Sequence, residues 1–312
     1  MKKRFAIMPD ITCDLPVSYQ KDYDIEVIKG HFVSPDGQEH ESVFDWTTVN
    51  RDDFFKSLKK NPNSYKSAPP SIGECFDVFE KHIKDGEGVI ALAISSTLSG
   101  TYQFMVNAKD MILEKYPNAK IEVIDSRRFG PCIGLLAVYA AKLRNEGKSF
   151  EEVVKWINEN LNRFHQSGWM DDLSFIAKKG RLTHSKAFFG SLVGIKPIGE
   201  FDYNGMTTVI GKAKGEKQAY QALIAYIKEH IENPEEQIIF VATSNRDKQA
   251  EEFKKLIEEN IKPKAVYVNQ TQINCSINIG PGLMAAYYLG KPITEGLKEE
   301  TESLTRILAE LK

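Results

Sequence analysis

The segment Ile94-Ser95-Ser96-Thr97-Leu98-Ser99-Gly100-Thr101-Tyr102-Gln103 runs from apolar residues straight into a cluster of hydroxyls. Hydroxyls can donate hydrogen bonds to an anion without adding charge. A strand followed by a helix would place them at the carboxyl end of a strand, where parallel α/β sheets bind ligands. The next helix would add free backbone N–H groups and the positive end of its dipole. A carboxylate or a phosphate is the ligand this chemistry predicts. A plainer reading stands beside it, because Ser and Thr also cap helices and form turns.

Three further segments carry candidate chemistry. In Lys66-Ser67-Ala68-Pro69-Pro70-Ser71 the two prolines fix an extended approach to a helix starting at Ser71, so Ser67 is held rigidly near that helix N-terminus. In Lys178-Lys179-Gly180-Arg181-Leu182-Thr183 a turn at Gly180 presents Arg181, which could hold an anion bidentately; a solvated charge run is the alternative. The following Ala187-Phe188-Phe189-Gly190-Ser191-Leu192-Val193-Gly194-Ile195 is either core or the lining of a long apolar cavity, with Phe188, Phe189, Leu192 and Ile195 as its wall. Ile277-Asn278-Ile279-Gly280-Pro281-Gly282 reads as a strand end and tight turn leading into a helix over 283–289.

Several chemistries have no support. The first segment is not G-x-S-x-G, and none of the six histidines is placed by sequence as a base for its serines. The chain holds no G-x-G-x-x-G, no Walker A and no H-E-x-x-H. No cofactor, no metal and no catalytic residue are expected.

The elements that must position these groups can be read from periodicity. Residues 5–8, 26–33, 88–94 and 120–125 read as strands, and 71–84, 99–116 and 131–145 as helices. Nearly continuous apolar strands separated by helices predict parallel pairing with helices on both faces. Ser71-Ile72-Gly73-Glu74 and Ser149-Phe150-Glu151-Glu152 both fit the S-x-x-E capping box. The second opens a helix through 163, where a domain boundary is placed. Beyond it, 167–173, 196–202, 207–212, 237–243 and 265–270 read as strands, with helices over 216–231 and 246–260. Asn204-Gly205 predicts a hairpin, so two of these strands should be antiparallel neighbours. The expected fold is therefore α/β in two domains. The first, 1–163, has a mainly parallel sheet flanked by helices, and the second, 164–293, a mixed or antiparallel one. An amphipathic helix extension follows over 294–312, with Leu304, Ile307, Leu308 and Leu311 on one stripe. That stripe fits packing on its own body or self-association.

Composition narrows the class. The 312 residues carry 41 Lys and Arg against 43 Asp and Glu, a net charge of −2, which argues against broad nucleic-acid binding. No apolar run is long enough to span a bilayer, which leaves at most transient membrane contact. The basic start Met1-Lys2-Lys3-Arg4 leads into an apolar run that ends at Pro9-Asp10, too short for a secretory signal. Cys13, Cys75, Cys132 and Cys275 are scattered, with no C-x-x-C pair. A cytoplasmic location is expected.

Taken in order, these segments resemble the DegV family of bacterial fatty-acid-binding proteins, which includes the lipid-carrying subunit of fatty acid kinase. The likeness runs from about residue 3 to about 292. Its landmarks are Pro9-Asp10-Ile11-Thr12-Cys13-Asp14-Leu15-Pro16, 67–74, 94–103, Val123-Ile124-Asp125-Ser126, Asp171-Asp172-Leu173, Lys179-Gly180-Arg181-Leu182-Thr183, Gly190-Ser191-Leu192 with Ile195-Lys196-Pro197-Ile198, and Gly280-Pro281-Gly282. The resemblance implies two α/β domains with a fatty acyl chain buried between and within them. It implies a carboxylate held by Ser96, with Ser95 beside it, and by Ser67, where the family usually has Thr. Arg181 falls at the family's Gly-Arg position, near the head group or a partner surface. It also implies a protein that performs no chemistry and presents its fatty acid to a separate kinase subunit.

The sequence departs from the pattern in places. The opening T-D-S-T of the family is Pro9-Asp10-Ile11-Thr12 here, with one hydroxyl lost, and Asn278 replaces the His common before Gly-Pro-Gly. Asn donates a hydrogen bond but cannot take up a proton or carry a charge as His can. The basic segment after the hairpin, usually Arg-containing, reads Lys212-Ala213-Lys214-Gly215-Glu216-Lys217. A lipid carrier is physically reasonable: each buried CH₂ contributes about 0.8 kcal/mol, so the chain supplies affinity and the head group needs only a few donors. The expectation is an apolar tunnel ending at Ser67, Ser96 and Asn278. Two other readings remain: an enzyme acting on acyl or phosphate substrates, and a regulatory module that takes a peptide or partner helix in the same cleft.

Overall fold

The computed structural model describes residues 5–182 and 194–311. They divide into two compact units. The first comprises Met1–Asn50, Ser64–Leu161 and Gln272–Asn274, and the second Arg51–Asn63, Asn162–Thr271 and Cys275–Lys312.

In chain order the elements are β1 (Phe5–Pro9), α1 (Val17–Asp22), β2 (His31–Val33), β3 (Glu39–Glu41), α2 (Arg51–Lys60), β4 (Lys66–Ala68), α3 (Ile72–Lys84), β5 (Gly88–Ala93), α4 (Thr101–Lys115), β6 (Ile121–Asp125), α5 (Pro131–Asn145) and α6 (Phe150–Asn160). There follow β7 (Phe164–Met170), α7 (Leu173–Lys178), β8 (Ile195–Phe201), β9 (Thr207–Lys214), α8 (Gly215–His230), β10 (Ile238–Thr243), α9 (Asp247–Asn260), β11 (Ala265–Gln270), α10 (Ile273–Ile279), β12 (Leu283–Leu289) and α11 (Lys298–Glu310).

The first unit is built on a parallel sheet in the order β1-β5-β6. Every residue of β5 is buried, so it is apolar on both faces, as a central parallel strand must be. Val89, Ala91 and Ala93 join Phe79 of α3 and Met105 and Ile112 of α4 in one core layer. α5 lies against β1, and its apolar residues are almost all buried. Both predicted capping boxes form: Ser71 Oγ accepts from Glu74 N at 3.2 Å and Ser149 Oγ from Glu152 N at 3.2 Å, with each glutamate reaching back to the cap N–H. A small antiparallel sheet, β3-β2-β4, carries Ser67 opposite Phe32. The expected strand over 26–33 shrinks to β2, with Ile25 and Ile28 making only isolated bridges to Ile7 and Asp10.

The second unit holds a mixed sheet in the order β11-β10-β12-β7-β8-β9. β10 and β11 run parallel and every other pair is antiparallel. The Asn204-Gly205 turn joins β8 to β9 as predicted, with Asn204 N held by Asp202 Oδ1 at 2.9 Å. Two expectations fail together: residues 283–289 form a strand, β12, not a helix, and residues 273–279 before them form a helix, not a strand end. Leu-Met-Ala-Ala-Tyr-Tyr-Leu is rich in helix formers, but it fills a central strand whose two faces are both covered, and a fully apolar run has no periodicity to separate the two states. The sequence reading also passed over α2, which holds to the second unit through Arg51 Nη2–Asp247 Oδ2 at 2.6 Å.

The terminal stripe packs on its own unit. α11 lies on α8 and β9 with Leu304 and Ile307 buried, and Ser303 Oγ donates to Glu229 Oε2 at 2.6 Å. Leu304→Ala should therefore cost about 2–5 kcal/mol, measured by urea unfolding, from lost transfer energy and the cavity left behind.

A second prediction concerns pH. Buried His82 lies between Glu26 Oε2 at 2.9 Å and Glu87 Oε2 at 2.8 Å. The hydrogen bond from His82, aided by Lys81, holds the Glu26 carboxyl down at about 2. The folded value lies below the unfolded one, so this contribution is complete above pH 4.5 and is lost as pH falls toward 2. Glu26→Gln should lower the urea midpoint clearly at pH 6 and by much less at pH 2.5.

Candidate functional site

At the carboxyl edge of the parallel sheet, the loop after β1 and the loop after β5 are tied by one carboxylate. Asp10 is fully buried; its Oδ2 accepts from Ile94 N at 2.5 Å and its Oδ1 from Thr12 N at 2.7 Å and Thr12 Oγ1 at 2.5 Å. Burial pushes the Asp10 carboxyl up, while the hydrogen bonds from Thr12 and Ile94 oppose the shift. Ile11, where the resemblance implied a lost hydroxyl, turns into the core at 2% exposure. Asp14, in a left-handed conformation, accepts from Gln272 N at 2.9 Å, within the same unit.

Ser95 and Ser96 do different jobs. Ser95 is buried; its N–H donates to Arg128 O at 2.9 Å, its hydroxyl pairs with Thr97 Oγ1 at 2.8 Å, and its carbonyl accepts from Leu98 N. It builds the turn. Ser96 is exposed and stands at the tip. Its hydroxyl donates to Asp125 Oδ2 at 2.5 Å and its N–H donates to Asp125 Oδ1 at 3.1 Å. Ser67, half-buried on β4, precedes the Pro69-Pro70 approach to the capped start of α3. These three serines belong to the first unit.

Asn278, Arg181 and Ile195 belong to the second unit. Asn278 is half-buried near the end of α10. Arg181 follows α7, with its guanidinium donating to the Lys179 carbonyl and its N–H to Ile176 O at 3.2 Å. Ile195 opens β8 opposite Lys214. Phe188, Phe189 and Leu192 lie outside the described residues.

Sequence reasoning missed a charge cluster in this unit. Asp171 receives Lys196 Nζ at 2.6 Å and Arg246 Nε at 2.5 Å, and Lys196 also reaches Glu216 at 3.2 Å. Asp171 N donates to Gly282 O at 3.1 Å, which ties the cluster to the Gly280-Pro281-Gly282 turn. Both glycines there have positive φ, and a Cβ would press on the Phe175 ring at Gly280 and on Asp171 at Gly282. No spacing rule links residues 171, 196 and 246; Asp171-Asp172-Leu173 stood out only as a landmark of the resemblance, and where a strand through 173 was expected α7 begins, with Asp172 accepting from Ser174 N at 2.8 Å. A buried pair, His165 Nδ1–Glu200 Oε2 at 2.8 Å, was equally silent in the sequence.

All four cysteines are buried and free. Burial pushes the Cys75 thiol up to about 12 and the Cys13 thiol well above its usual range, so neither is a thiolate nucleophile near neutral pH. Among the described residues no group of three or more His, Cys, Asp or Glu side chains could hold a metal ion, and no helix is long and apolar enough to cross a membrane.

A parallel sheet tipped with hydroxyls in one unit and a mixed six-stranded sheet in the other define a two-unit α/β protein. The family model described as "Uncharacterised protein, DegV family" matches residues 4–291. The chain belongs to the DegV family. It is 33% identical over 288 residues to a DegV domain-containing protein of Clostridium perfringens, covering 92% of this chain and 98% of that one. A DegV family structure from Ruminococcus gnavus, refined with vaccenic acid, superposes with a TM-score of 0.79 at 22% identity, over 92% of this chain and 100% of that one. The Streptococcus pneumoniae Fatty Acid Kinase (Fak) B3 protein, loaded with linoleic acid, gives a TM-score of 0.77 at 23% identity, over 92% and 99%.

The Asp10 tie is testable. Asp10→Asn keeps the size but turns an amide N–H₂ toward a backbone or hydroxyl donor, so it should cost about 1–3 kcal/mol of stability, read from denaturant midpoints.

Proposed function

We propose that the protein binds one long-chain fatty acid and acts as a carrier, performing no chemistry itself and presenting the acid to a separate kinase subunit. The observation that carries this reading is Ser96, an exposed hydroxyl at the carboxyl end of a wholly buried parallel strand. Membership of a family whose solved members hold vaccenic and linoleic acids supports it. In this reading the head group is bound by Ser96 and Ser67, with Ser95 shaping the turn and Asn278 supplying an amide. Arg181 serves the head group or the partner surface, and Phe188, Phe189, Leu192 and Ile195 line the acyl chain. The acyl chain supplies most of the affinity, about 0.8 kcal/mol for each buried CH₂. No cofactor is required, and the protein works in the cytoplasm without inserting in a membrane.

Mass spectrometry of the protein purified from a bacterial host, native and then after solvent extraction, tests the reading. One fatty acid released per chain is the expected result. An empty protein that also takes up no added fatty acid overturns it. Ser96→Ala and Ser67→Ala should each weaken binding by roughly two- to tenfold, the scale of one hydrogen bond, without changing the extracted acyl chain. Unchanged affinity in both variants would remove these serines from the head-group site.

A further inference from the structure

Ser96 and Asp125 meet where β5 and β6 end side by side, with Ala93 opposite Asp125 in the ladder. Three donors converge on that carboxylate: the Ser96 hydroxyl at 2.5 Å on Oδ2, and the N–H groups of Ser96 and Arg127 at 3.1 and 3.0 Å on Oδ1. An ionised carboxylate only accepts, so the single hydrogen of the Ser96 hydroxyl points at Asp125. What Ser96 offers on its exposed side is lone pairs. A bare carboxylate has nothing but lone pairs to bring, and it would lie beside a like charge. A hydroxyl or a protonated carboxyl brings its own hydrogen; it can donate to Ser96 Oγ and extend the line of hydrogen bonds to Asp125.

We propose that Asp125 sets the head-group selectivity of the Ser96 subsite, favouring a lipid whose head group carries a hydrogen, an un-ionised acid or an alcohol, over a free carboxylate. This rests on the lipid-binding reading and refines the chemical form of that lipid. Asp125 acts through Ser96 and is a positioning residue. Removing its charge releases the Ser96 hydrogen to an anionic head group and removes the repulsion.

The experiment compares dodecanoate and 1-dodecanol binding to the full chain by calorimetry at one neutral pH. Asp125→Asn should tighten dodecanoate by about tenfold, the scale of one like charge removed at a half-exposed site, and shift dodecanol by less than about twofold. The gain should fall in the Ser96→Ala background to the part that removal of the like charge alone gives, a coupling that a purely structural role would not produce. Asp125→Ala serves the same comparison if the Asn variant does not fold. An acid-to-alcohol ratio equal to that of the wild type overturns the proposal, as does a gain of undiminished size without the Ser96 hydroxyl. A wild-type protein that binds neither ligand overturns the lipid reading itself and this proposal with it, and is recognised before any variant is made.

Discussion

A buried carboxylate holds together the ends of two neighbouring parallel strands, and the candidate site hangs on that tie. Asp10 leaves β1, has no exposure, and takes the Ile94 N–H with one oxygen and two Thr12 donors with the other. An ionisable group away from water is costly unless it is hydrogen-bonded, and here every contact is met by groups that β1 and β5 bring in fixed register. The ladder below it is apolar on both faces and supplies rigidity. The carboxylate converts that rigidity into a defined path for the chain at Ser95, so that Ser96 emerges at one place. Asp125 repeats the device one strand further on, collecting Ser96 and Arg127 where β6 ends.

The same logic governs the second unit with different materials. There the ordered turn is glycine-bearing, and its neighbour is a charge cluster instead of a hydroxyl run. Asp171 takes two cations and donates its own N–H to Gly282 O, while Ser244 N donates to Leu283 O and Gly282 N to Ser244 O at 2.7 Å. Lys196 and Arg246 thereby fix the end of β7 against the start of β12. Desolvation offsets much of the attraction in such largely buried ion pairs, and their value lies in orientation.

Much of this was legible in the chain because local rules suffice where local interactions decide. Val89 to Ala93 is short, β-branched at its start and closed by hydroxyls, which reads as buried strand; Ser71 with Glu74 and Ser149 with Glu152 could close their boxes within four residues, and Asn204-Gly205 could turn the hairpin by itself. The failures fall where tertiary context decides. Residues 283–289 became a strand because two strands flank them, and nothing in Leu-Met-Ala-Ala-Tyr-Tyr-Leu states that. In the candidate site the hydroxyl cluster was visible, but the division of labour within it was not. Ser95 and Ser96 are identical in type and adjacent, and only the three-dimensional position of Arg128 and Asp125 makes one a turn builder and the other a presented group.

The central place of β12 also orders events in time. It lies between β10 and β7 in the second sheet, yet it follows every other described strand of that sheet in the chain. Until residue 289 has left the exit tunnel, β7 with β8 and β9 forms one fragment and β10 with β11 another, each exposing an unpaired apolar edge. The sheet cannot zip up progressively as the chain emerges; it closes in one late step by insertion of a strand between two waiting halves. Such non-local closure is slow, and its open edges are the natural sites for a chaperone to guard.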